Sequence, residues 1–402
     1  MKVRFGYMKT VIVCANDFYP NNVFGLGDSV YDIVEHLKDK YNFIVITTNK
    51  EDVIDMYTYP VLFLDQHLDK VLMNGRNNSF KIFKSFDNVV AWNQALFIKT
   101  TKYLKANQIE PDIIINNSWV SWKLAQMLKG EYDIPIINVV HFYEKQYEES
   151  RTKISLFHKL IVNLDLDMFK NADCNVVFTE NMLKNISDKY GITDLNNFRV
   201  IPHSIDIHSV VKKPIVDSNN IKFLYVGRLS EEKGIKELLE VFAELSHKYN
   251  NISLMVVGNG VLFDELQVKY KNSQIKFVGK LSHEKLYSVY NESNVVIVPS
   301  LTETFGLVLL EALYFEKAII TTTGITVSDI VPGNVAITVP LDVQAEGVRL
   351  PLNVLRNSVE RVILNPDLIN QMSKASKDYY MKKFFSYCEY TMIQSIIEDN
   401  TN

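Results

Sequence analysis

The stretch IKFLYVGRLSEEKGIKELLEVFAEL, residues 221–245, contains a strand, a tight turn and a helix in direct succession. Its first part is a nearly continuous apolar run, which is typical of a strand that is covered on both faces of a parallel sheet. Gly227 permits the tight turn that ends this strand, and a helical pattern follows. The stretch therefore predicts one β–α unit of a Rossmann-like sheet.

Similar apolar runs alternate with amphipathic stretches along the whole chain, which is the pattern of an α/β protein. The predicted strands of the first half are residues 10–16, 43–48, 112–117, 135–141 and 174–179. Those of the second half are residues 221–227, 252–258, 275–279, 295–300, 318–322 and 335–340. Helices are predicted between them, including residues 28–40, 89–107, 119–129 and 155–171. The two strand series indicate two separate parallel sheets.

The length of 402 residues also favours two domains, because single hydrophobic cores stop growing below that size. The polar segment 203–220 separates the two strand series and is the predicted linker. We predict an N-terminal Rossmann-like domain over residues 1–205 and a C-terminal Rossmann-like domain over residues 206–382. Because parallel sheets bind ligands at the carboxyl ends of their strands, the expected site is a cleft between these domains.

The composition excludes several classes of protein. Hydrophobic residues make up 47% and charged residues 22% of the chain, as in soluble globular proteins. The net charge of −4 argues against nucleic acid as a partner, because phosphate binding normally requires a basic excess. Cys14, Cys174 and Cys388 are widely separated, which suits a reducing cytoplasm and argues against a structural zinc site. No apolar run approaches the roughly 18 residues of a membrane-spanning helix, so a cytoplasmic location is expected.

Two cations accompany the turn that follows the strand of residues 221–227. Arg228 and Lys233 lie just before, or at the start of, the next helix. The free N–H groups and the dipole of a helix N-terminus add to the attraction of such cations, so the turn is a predicted diphosphate site. The alternative is that both side chains are ordinary surface charges.

The segment SLTETFGLVLLEAL, residues 300–313, places Glu303 after an apolar strand and Glu311 among leucines. Along one helix their carboxylates would be about 12 Å apart and about 80° apart in direction, which suits the sugar and the ribose of a nucleotide sugar. The amides of Phe305 and Gly306 are expected to face phosphate or sugar oxygens. The alternative is a solvated Glu303 and a Glu311 that caps a polar edge, although a charge among leucines requires a partner.

These motifs, with LMVVGNGVLFDEL (residues 254–266), residues 275–313 and VIPHSID (residues 200–206), closely resemble the retaining GT-B glycosyltransferases of family 4. The resemblance implies a GT-B fold, in which two Rossmann-like domains face each other across a cleft. It also implies a nucleotide-diphosphate sugar as co-substrate, with no metal ion and no other cofactor. Residues 383–402 resemble the family's last helix, which crosses back to the first domain.

In the second half, the resemblance implies specific roles. Arg228 and Lys233 would hold the diphosphate and offset the negative charge that develops on the leaving group. Glu303 would bind donor-sugar hydroxyls beside the anomeric carbon, and Glu311 would bind the ribose. Lys280 and Leu281 would flank the base. Further donor contacts are implied for Gly227, Thr304, Phe305 and Gly306.

In the first half, His141 matches a histidine that lies beneath the donor sugar and near the acceptor. Gly25 and Gly27 match a glycine loop that touches the phosphates, but Gly25-Leu26-Gly27 replaces the usual Gly-Gly pair. Residues 116–122 contain asparagines where many members carry histidines, which puts an acceptor role there in doubt. Residues 321–331 also depart from the family, so the identity of the donor sugar does not follow from the resemblance.

Two further motifs suggest other chemistry. Asp165-x-Asp167 resembles the metal site of a different glycosyltransferase fold, but it lies in a predicted helix rather than at a strand end, where oxygens would converge. VVGNGV, residues 256–261, carries Gly-x-Gly after a strand but lacks the third glycine and the acidic partner of a dinucleotide site. Neither motif is expected to bind its usual ligand.

Basic residues punctuate an aromatic-rich stretch over residues 74–105. Such a stretch can lie on an anionic surface such as the inner face of a membrane, which would make the protein peripheral there. It fits equally well a solvated helix face that lies opposite a buried aromatic stripe. The sequence leaves both interpretations open.

We therefore predict a retaining, metal-independent glycosyltransferase that moves a sugar from a nucleotide-diphosphate sugar to a glycan, lipid-linked, protein or small-molecule acceptor. The first domain would bind the acceptor and the second the donor. One alternative is a catalytically silent GT-B subunit that assists another glycosyltransferase. An enzyme is favoured because none of its expected site residues is missing: His141, Arg228, Lys233, Glu303 and Glu311. Another alternative uses water or phosphate as acceptor, because a fold alone does not determine the reaction.

Overall fold

The computed structural model describes residues 8–16, 18, 25–48, 55–64, 85–146, 155–203, 220–271, 274–301, 306–323, 330–333, 335–344, 347–384 and 389–401. The chain folds into two compact units. The first comprises most of the chain up to Ile201, together with the terminal segment that begins at Cys388. The second extends from Pro202 to Tyr387. The predicted linker, residues 203–220, lies almost entirely outside the described residues.

The first unit is built on a parallel sheet of seven strands in the order β3-β2-β1-β4-β5-β6-β7. The strands are β1 (Thr10–Cys14), β2 (Asn42–Ile46), β3 (Val61–Leu62), β4 (Ile113–Asn116), β5 (Ile136–Val139), β6 (Cys174–Val177) and β7 (Phe198–Val200). Every residue of β1 is buried, as expected of a central strand that is covered on both faces.

Six helices belong to the described part of this unit. They are α1 (Gly25–Leu37), α2 (Phe86–Ala106), α3 (Trp122–Tyr132), α4 (Leu156–Asn171), α5 (Glu180–Tyr190) and, at the end of the chain, α12 (Glu389–Thr401). Hydroxyl groups cap three of their N-termini: Ser85 begins α2, Ser155 begins α4 and Thr179 begins α5. Each side chain accepts a hydrogen bond from a backbone N–H of the first turn, which stabilises the helix start.

The last helix packs on the first unit. Lys9 Nζ lies 2.8 Å from a carboxylate oxygen of Glu398 on α12, and the Tyr41 hydroxyl donates to the other oxygen at 2.5 Å. The His36 ring stacks on the Tyr390 ring with centroids 3.8 Å apart. The predicted return of the terminal helix to the first domain is confirmed.

The second unit repeats the plan with six parallel strands in the order β10-β9-β8-β11-β12-β13. The strands are β8 (Ile221–Val226), β9 (Ile252–Val257), β10 (Ile275–Gly279), β11 (Val295–Val298), β12 (Ala318–Thr322) and β13 (Ala336–Val339). The helices are α6 (Ile235–Lys248), α7 (Phe263–Lys269), α8 (His283–Glu292), α9 (Leu307–Tyr314), α10 (Leu352–Leu364) and α11 (Pro366–Lys383). A two-stranded antiparallel hairpin, β14 (Asp342–Gln344) and β15 (Gly347–Arg349), lies outside the sheet.

The predicted α/β class with two Rossmann-like sheets is confirmed, and every predicted strand is present. Sequence reasoning missed β3 and β7, which form the two edges of the first sheet. β3 has only two residues, and only Phe198 of β7 is buried, so neither produces an apolar run. Within the described ranges, no helix combines the length and the apolarity needed to cross a bilayer.

The described part of the basic aromatic stretch, residues 85–105, forms most of α2. One face of this helix is buried through Val89, Trp92, Leu96 and Leu104. That face provides the buried stripe of one of the two interpretations. Residues 74–84 lie outside the described residues, and contact with a membrane stays a prediction.

The strand order places a switch point in each sheet. In the first sheet, connections run in opposite directions from β1 and β4, and in the second from β8 and β11. Parallel sheets bind ligands beside the carboxyl ends of the strands at such points, because the two loops diverge there and leave a crevice. A site is therefore expected at the carboxyl edges near β1–β4 and β8–β11.

Candidate functional site

The turn after β8, residues 227–234 (the β8 turn), carries the two predicted diphosphate-binding cations. Arg228 lies two residues after the end of the strand, and Lys233 ends a short 3₁₀ helix, Glu231–Lys233. Gly234 then forms the N-cap of α6 with φ +62°. Both cations therefore lie at the carboxyl edge of the second sheet, beside the start of a helix, as the sequence predicted.

Close backbone packing holds the β8 turn against the exit of β11. A Cβ at Gly234 would lie 2.0 Å from the carbonyl oxygen of Pro299, so only glycine fits there. The Leu301 N–H donates to the Glu232 carbonyl at 2.9 Å. These contacts fix the β8 turn to the segment that leads towards Glu303.

The loop after β9 packs against the other side of the β8 turn. A Cβ at Gly258 would lie 1.8 Å from the Gly227 carbonyl oxygen, and one at Gly260 would lie 2.4 Å from the Leu229 carbonyl oxygen. The Leu229 N–H donates to the Asn259 carbonyl at 3.0 Å. The Gly-x-Gly of residues 256–261 therefore serves close backbone approach, which the sequence motif alone did not reveal.

Arg228 has an acidic neighbour within the β8 turn. Its Nη1 lies 3.7 Å from a carboxylate oxygen of Glu232, and the same oxygen accepts a hydrogen bond from the Ser230 hydroxyl at 2.6 Å. The Arg228 side chain keeps 24% of its surface exposed. A diphosphate can therefore reach the guanidinium. Because a diphosphate carries more negative charge than the Glu232 carboxylate, which lies at a long distance from Arg228, it would compete with Glu232 for the guanidinium.

Glu311 lies on α9 and has a buried partner that the sequence did not predict. The Tyr290 hydroxyl, at the end of α8, donates to Glu311 Oε2 at 2.6 Å. Tyr290 is fully buried, and its ring stacks on Phe315 with centroids 5.0 Å apart. Burial and the adjacent carboxylate raise the pKa of Tyr290 well above its ordinary value, so the phenol stays protonated and donates. Tyr290 therefore supplies the partner that a carboxylate among leucines requires.

The predicted helical spacing of Glu303 and Glu311 is wrong. Helix α9 begins at Leu307, and Gly306 before it has φ +80°, a left-handed conformation that prevents the helix from extending back towards Glu303. Glu303 therefore precedes the helix, and the separation of about 12 Å that assumed one continuous helix does not apply. Glu303, Thr304 and Phe305 lie outside the described residues.

The remaining donor-site candidates lie at the same edge of the second sheet. Lys280 and Leu281 follow β10, and the Gly279 carbonyl accepts from the Gly258 N–H at 2.9 Å. This bond connects the loop after β10 to the loop that packs on the β8 turn. All described donor-site candidates of the second half of the chain belong to the second unit: Gly227, Arg228, Lys233, Lys280, Leu281, Gly306 and Glu311.

In the first unit, His141 follows β5 at the carboxyl edge of the sheet. Its Nε2 lies 3.4 Å from Asn117 Oδ1, and its ring packs against Phe178 with centroids 5.2 Å apart. Asn117 is 1% exposed, and its Nδ2 has no hydrogen-bond partner in the part of the chain that the structure describes. Asn117 and His141 line a cavity of about 10 Å³, enough for one water molecule.

A chain of buried asparagines connects the strands beside this cavity. Asn116, Asn138 and Asn175 occupy paired positions on β4, β5 and β6. The Asn116 amide donates to Asn138 Oδ1 at 3.0 Å, and the Asn138 amide donates to Asn175 Oδ1 at 2.9 Å. Asn175 in turn donates to the Phe169 carbonyl at 2.9 Å. This asparagine ladder fixes the strand ends beside His141, because mutually polarised hydrogen bonds in a dry interior are strong.

The remaining predictions for the first unit have mixed outcomes. Gly25 begins α1 and Gly27 lies within it, so the described part of the glycine loop is the start of a helix rather than an extended loop. Asp165 and Asp167 point to different partners: Asp165 accepts from the Tyr190 hydroxyl, and Asp167 accepts from the Trp122 indole. Over the described residues, no three His, Cys, Asp or Glu side chains converge as metal ligands.

Comparison with known families gives two matches that together span most of the chain. Residues 24–209 match the family described as Glycosyltransferase Family 4. Residues 207–377 match the family described as Glycosyl transferases group 1. The first match coincides with the sheet that carries His141, and the second with the sheet that carries the β8 turn and Glu311.

Individual relatives are enzymes that transfer sugars. The chain is 22% identical to a glycogen synthase of Mycobacterium tuberculosis over an alignment of 316 residues that covers 75% of each protein. It is 25% identical over 344 residues to 2-deoxystreptamine N-acetyl-D-glucosaminyltransferase of Niallia circulans, which covers 82% of this chain and 80% of the relative.

Solved structures share the fold of the whole chain. Sucrose-phosphate synthase from Thermosynechococcus elongatus superposes with a TM-score of 0.76 at 17% identity, over 97% of this chain and 98% of that one. HepE from Anabaena, in complex with UDP and glucose, superposes with a TM-score of 0.67 at 15% identity, over 98% of this chain and 99% of HepE. The GT-B fold is therefore confirmed.

Proposed function

The chain belongs to the group 1 glycosyltransferases, and we propose that it transfers a sugar from a nucleotide-diphosphate sugar with retention of anomeric configuration and without a metal ion. The observation that carries this proposal is the β8 turn. It holds Arg228 and Lys233 at a helix start beside the switch point between β8 and β11. Such a site attracts a diphosphate through two cations, the helix dipole and free N–H groups at once.

The same edge of the second sheet offers groups for the rest of the donor. Glu311, oriented by the Tyr290 hydroxyl, would accept hydrogen bonds from the ribose hydroxyls. Lys280 and Leu281 would flank the base, and Glu303 would bind the donor sugar. UDP-glucose is the donor for the product analysis below, because an Anabaena structure that shares this fold was solved in complex with it.

In the reaction, the bond between the anomeric carbon and the diphosphate oxygen breaks, and the diphosphate leaves with an added negative charge. Arg228 and Lys233 would stabilise that charge as it develops, so their effect is greater in the transition state than in the ground state. The acceptor oxygen forms the new bond to the anomeric carbon, and its proton would pass to the departing diphosphate oxygen. His141 would contact the donor sugar near this acceptor on the first unit, with Asn117 holding its ring.

The first test is binding of UDP, GDP, ADP and CDP, measured by thermal shift with and without EDTA. A ligand at 100 times its dissociation constant stabilises the folded protein by about 2.7 kcal/mol, which is easily measured. We expect one nucleotide to respond, equally with and without EDTA. No response to any of them at millimolar concentration would contradict a nucleotide-sugar donor, and a response abolished by EDTA would contradict metal independence.

A variant pair then locates the site. Arg228→Ala should lower kcat by at least about tenfold, because transition-state charge loses its partner. Arg356→Ala is the matched control: this arginine of the same unit pairs with Glu244 on the surface at 2.7 Å, so kcat should not change. Equal rates for the two variants would exclude the β8 turn as the diphosphate site.

Product analysis completes the test. With UDP-α-glucose, early-time proton NMR should show an α-configured product, as retention requires. Formation of a β-configured product would contradict retention. Free glucose as the sole product in the presence of a broad set of acceptors would indicate that water is the acceptor.

A further inference from the structure

The loop after β5, residues 141–146 (the β5 loop), begins with His141 and is anchored a few residues later by buried side chains. The Glu144 N–H donates to Asp165 Oδ2 at 2.6 Å, and the Tyr190 hydroxyl donates to the same oxygen at 2.6 Å. The Lys145 N–H donates to the Tyr190 hydroxyl at 3.2 Å. Two consecutive backbone N–H groups of the β5 loop therefore end on one buried pair from α4 and α5.

The pair itself is unusual because it buries a carboxyl group. Asp165 is 1% exposed, and Tyr190 is 8% exposed. Burial raises the pKa of Asp165 to about 7, although the two hydrogen bonds that it accepts oppose the rise. An apolar pair of similar volume would avoid this desolvation cost, so stability alone does not explain the arrangement.

Other titratable groups surround the pair and belong to the same loop and helices. Glu144 Oε1 lies 2.5 Å from His158 Nδ1 on α4, and both side chains are buried. Lys145 Nζ lies 4.9 Å from the centre of the Tyr190 ring, and it also donates to the Lys189 carbonyl on α5. The β5 loop is thus bound to α4 and α5 by side chains at two successive positions.

We propose that Asp165 and Tyr190 are positioning residues for His141. By fixing the backbone at positions 144 and 145, they set the direction in which the β5 loop leaves β5 and so hold the His141 ring against Asn117 and Phe178. The effect on catalysis rests on the proposed function, whereas the effect on the histidine ring does not. Asp165, which the Asp-x-Asp motif suggested as a metal ligand, serves here as a backbone anchor.

The geometry supports a direct mechanical link. Only Phe142 and Tyr143 separate His141 from the anchored residues. Tyr143 is buried, and its ring meets the Tyr190 ring edge-on with centroids 6.3 Å apart. The loop therefore has little freedom between its anchor and the histidine, and a shift of the anchor moves the ring.

The direct test observes the His141 ring by NMR in protein labelled with ¹³C-histidine, at pH 8. Its signal, one of eight from the histidines, is identified by its loss in His141→Gln. Tyr190→Phe removes one hydroxyl and frees the Lys145 N–H. Tyr41→Phe is the matched control, because Tyr41 is also buried in the first unit and donates to a carboxylate, Glu398, at 2.5 Å.

We expect the His141 signal to shift and broaden in Tyr190→Phe and to stay unchanged in Tyr41→Phe. Identical His141 signals in the two variants would overturn the proposal. This NMR measurement needs neither donor nor acceptor. If no nucleotide sugar is turned over, the proposed function is contradicted, but the NMR result still tests the positioning of His141.

Kinetics provide the second test. Tyr190→Phe should lower kcat by about tenfold while the KM for the donor changes by less than about twofold, because the donor is held by the second unit. In the wild type, kcat should rise with pH through about 7 as Asp165 ionises and its hydrogen bonds strengthen. In Asp165→Asn, which cannot ionise, this rise should disappear. Two results would overturn the proposal: a rise of kcat with pH that persists in Asp165→Asn, or a kcat of Tyr190→Phe equal to that of Tyr41→Phe.

Discussion

The β8 turn and the β5 loop both lie at the carboxyl edge of a parallel sheet, but they are held in different ways. The β8 turn is fixed by backbone packed on backbone, which requires Gly234 and Gly258. The β5 loop is fixed by buried polar side chains, above all Asp165 and Tyr190. Backbone packing requires glycines, which are visible in the local sequence. Support by buried side chains joins residues that are far apart along the chain, so no local sequence pattern indicates it.

Gly234→Ala tests the backbone packing of the β8 turn and should have the largest effect. The new Cβ meets the Pro299 carbonyl oxygen at 2.0 Å, so we expect a loss of more than about 4 kcal/mol of unfolding free energy. Gly191→Ala is the control: Gly191 also has positive φ but has nothing within 4 Å, so only strain of about 1 kcal/mol is added. Similar losses in urea unfolding would show that conformation, rather than packing, requires Gly234.

Asn138→Leu tests the side-chain support of the first unit. It removes the centre of the asparagine ladder and leaves Asn116 and Asn175 each without one partner, at a cost of about 4 kcal/mol. The exposed Asn107, which donates to the Tyr103 carbonyl, provides the control, and Asn107→Ala should stay within about 0.5 kcal/mol. Equal urea midpoints for the two variants would mean that the ladder adds nothing to stability.

Lys317→Met should change stability without disturbing the candidate site, because Lys317 precedes β12 at the amino edge of the second sheet and the site lies at the carboxyl edge. The side chain is fully buried, and its Nζ has no hydrogen-bond partner in the described parts of the chain. Burial lowers the pKa of Lys317 from 10.5 to about 8. Below pH 8 the folded protein must therefore bury a charged ammonium group, which lowers its stability. Lys317→Met should therefore stabilise the protein at pH 7, by on the order of 3 kcal/mol.

The sign of this effect can be checked by pH. Between about pH 8 and 10.5 the unfolded state binds more protons at Lys317, so wild-type stability rises with pH and the advantage of the variant shrinks. The half-exposed Lys236, which pairs with Glu231 at 2.8 Å, serves as control, since Lys236→Met should gain nothing. Unfolding measured at pH 7 and pH 10.5 tests both, and a pH-independent gain would show that packing, rather than charge, is responsible.

Tyr290→Phe tests the support of Glu311 in the second unit and should have the smallest effect. Loss of the hydroxyl that orients Glu311 should weaken binding of the nucleotide that responds in the thermal-shift test by about fivefold, or about 1 kcal/mol. Tyr249→Phe loses a similar hydrogen bond, to Glu360 at 2.7 Å, and should leave the affinity for that nucleotide unchanged. Calorimetric titration of both variants measures the difference, and equal affinities would remove Glu311 from the ribose site.

Much of the candidate donor site could be predicted from the sequence. The strand β8, the cations Arg228 and Lys233 and the helix that follows are consecutive, so local patterns place them correctly. The one clear error concerns the helix of Glu311, which was extended through Gly306 because apolar periodicity does not show where a glycine adopts positive φ. The partner of Glu311, Tyr290, comes from another helix and could not be inferred from spacing.

The sequence by itself determined the two series of buried strands, the family resemblance and the cation-bearing turn, because each of these depends on residues that are neighbours in the chain. Only the tertiary structure shows that three asparagines form a ladder and that Asp165 accepts a hydrogen bond from the backbone of the β5 loop. The physical reason is register: these side chains meet only when separate strands and helices are aligned, and buried polar groups then bond to whichever partners the alignment brings within reach.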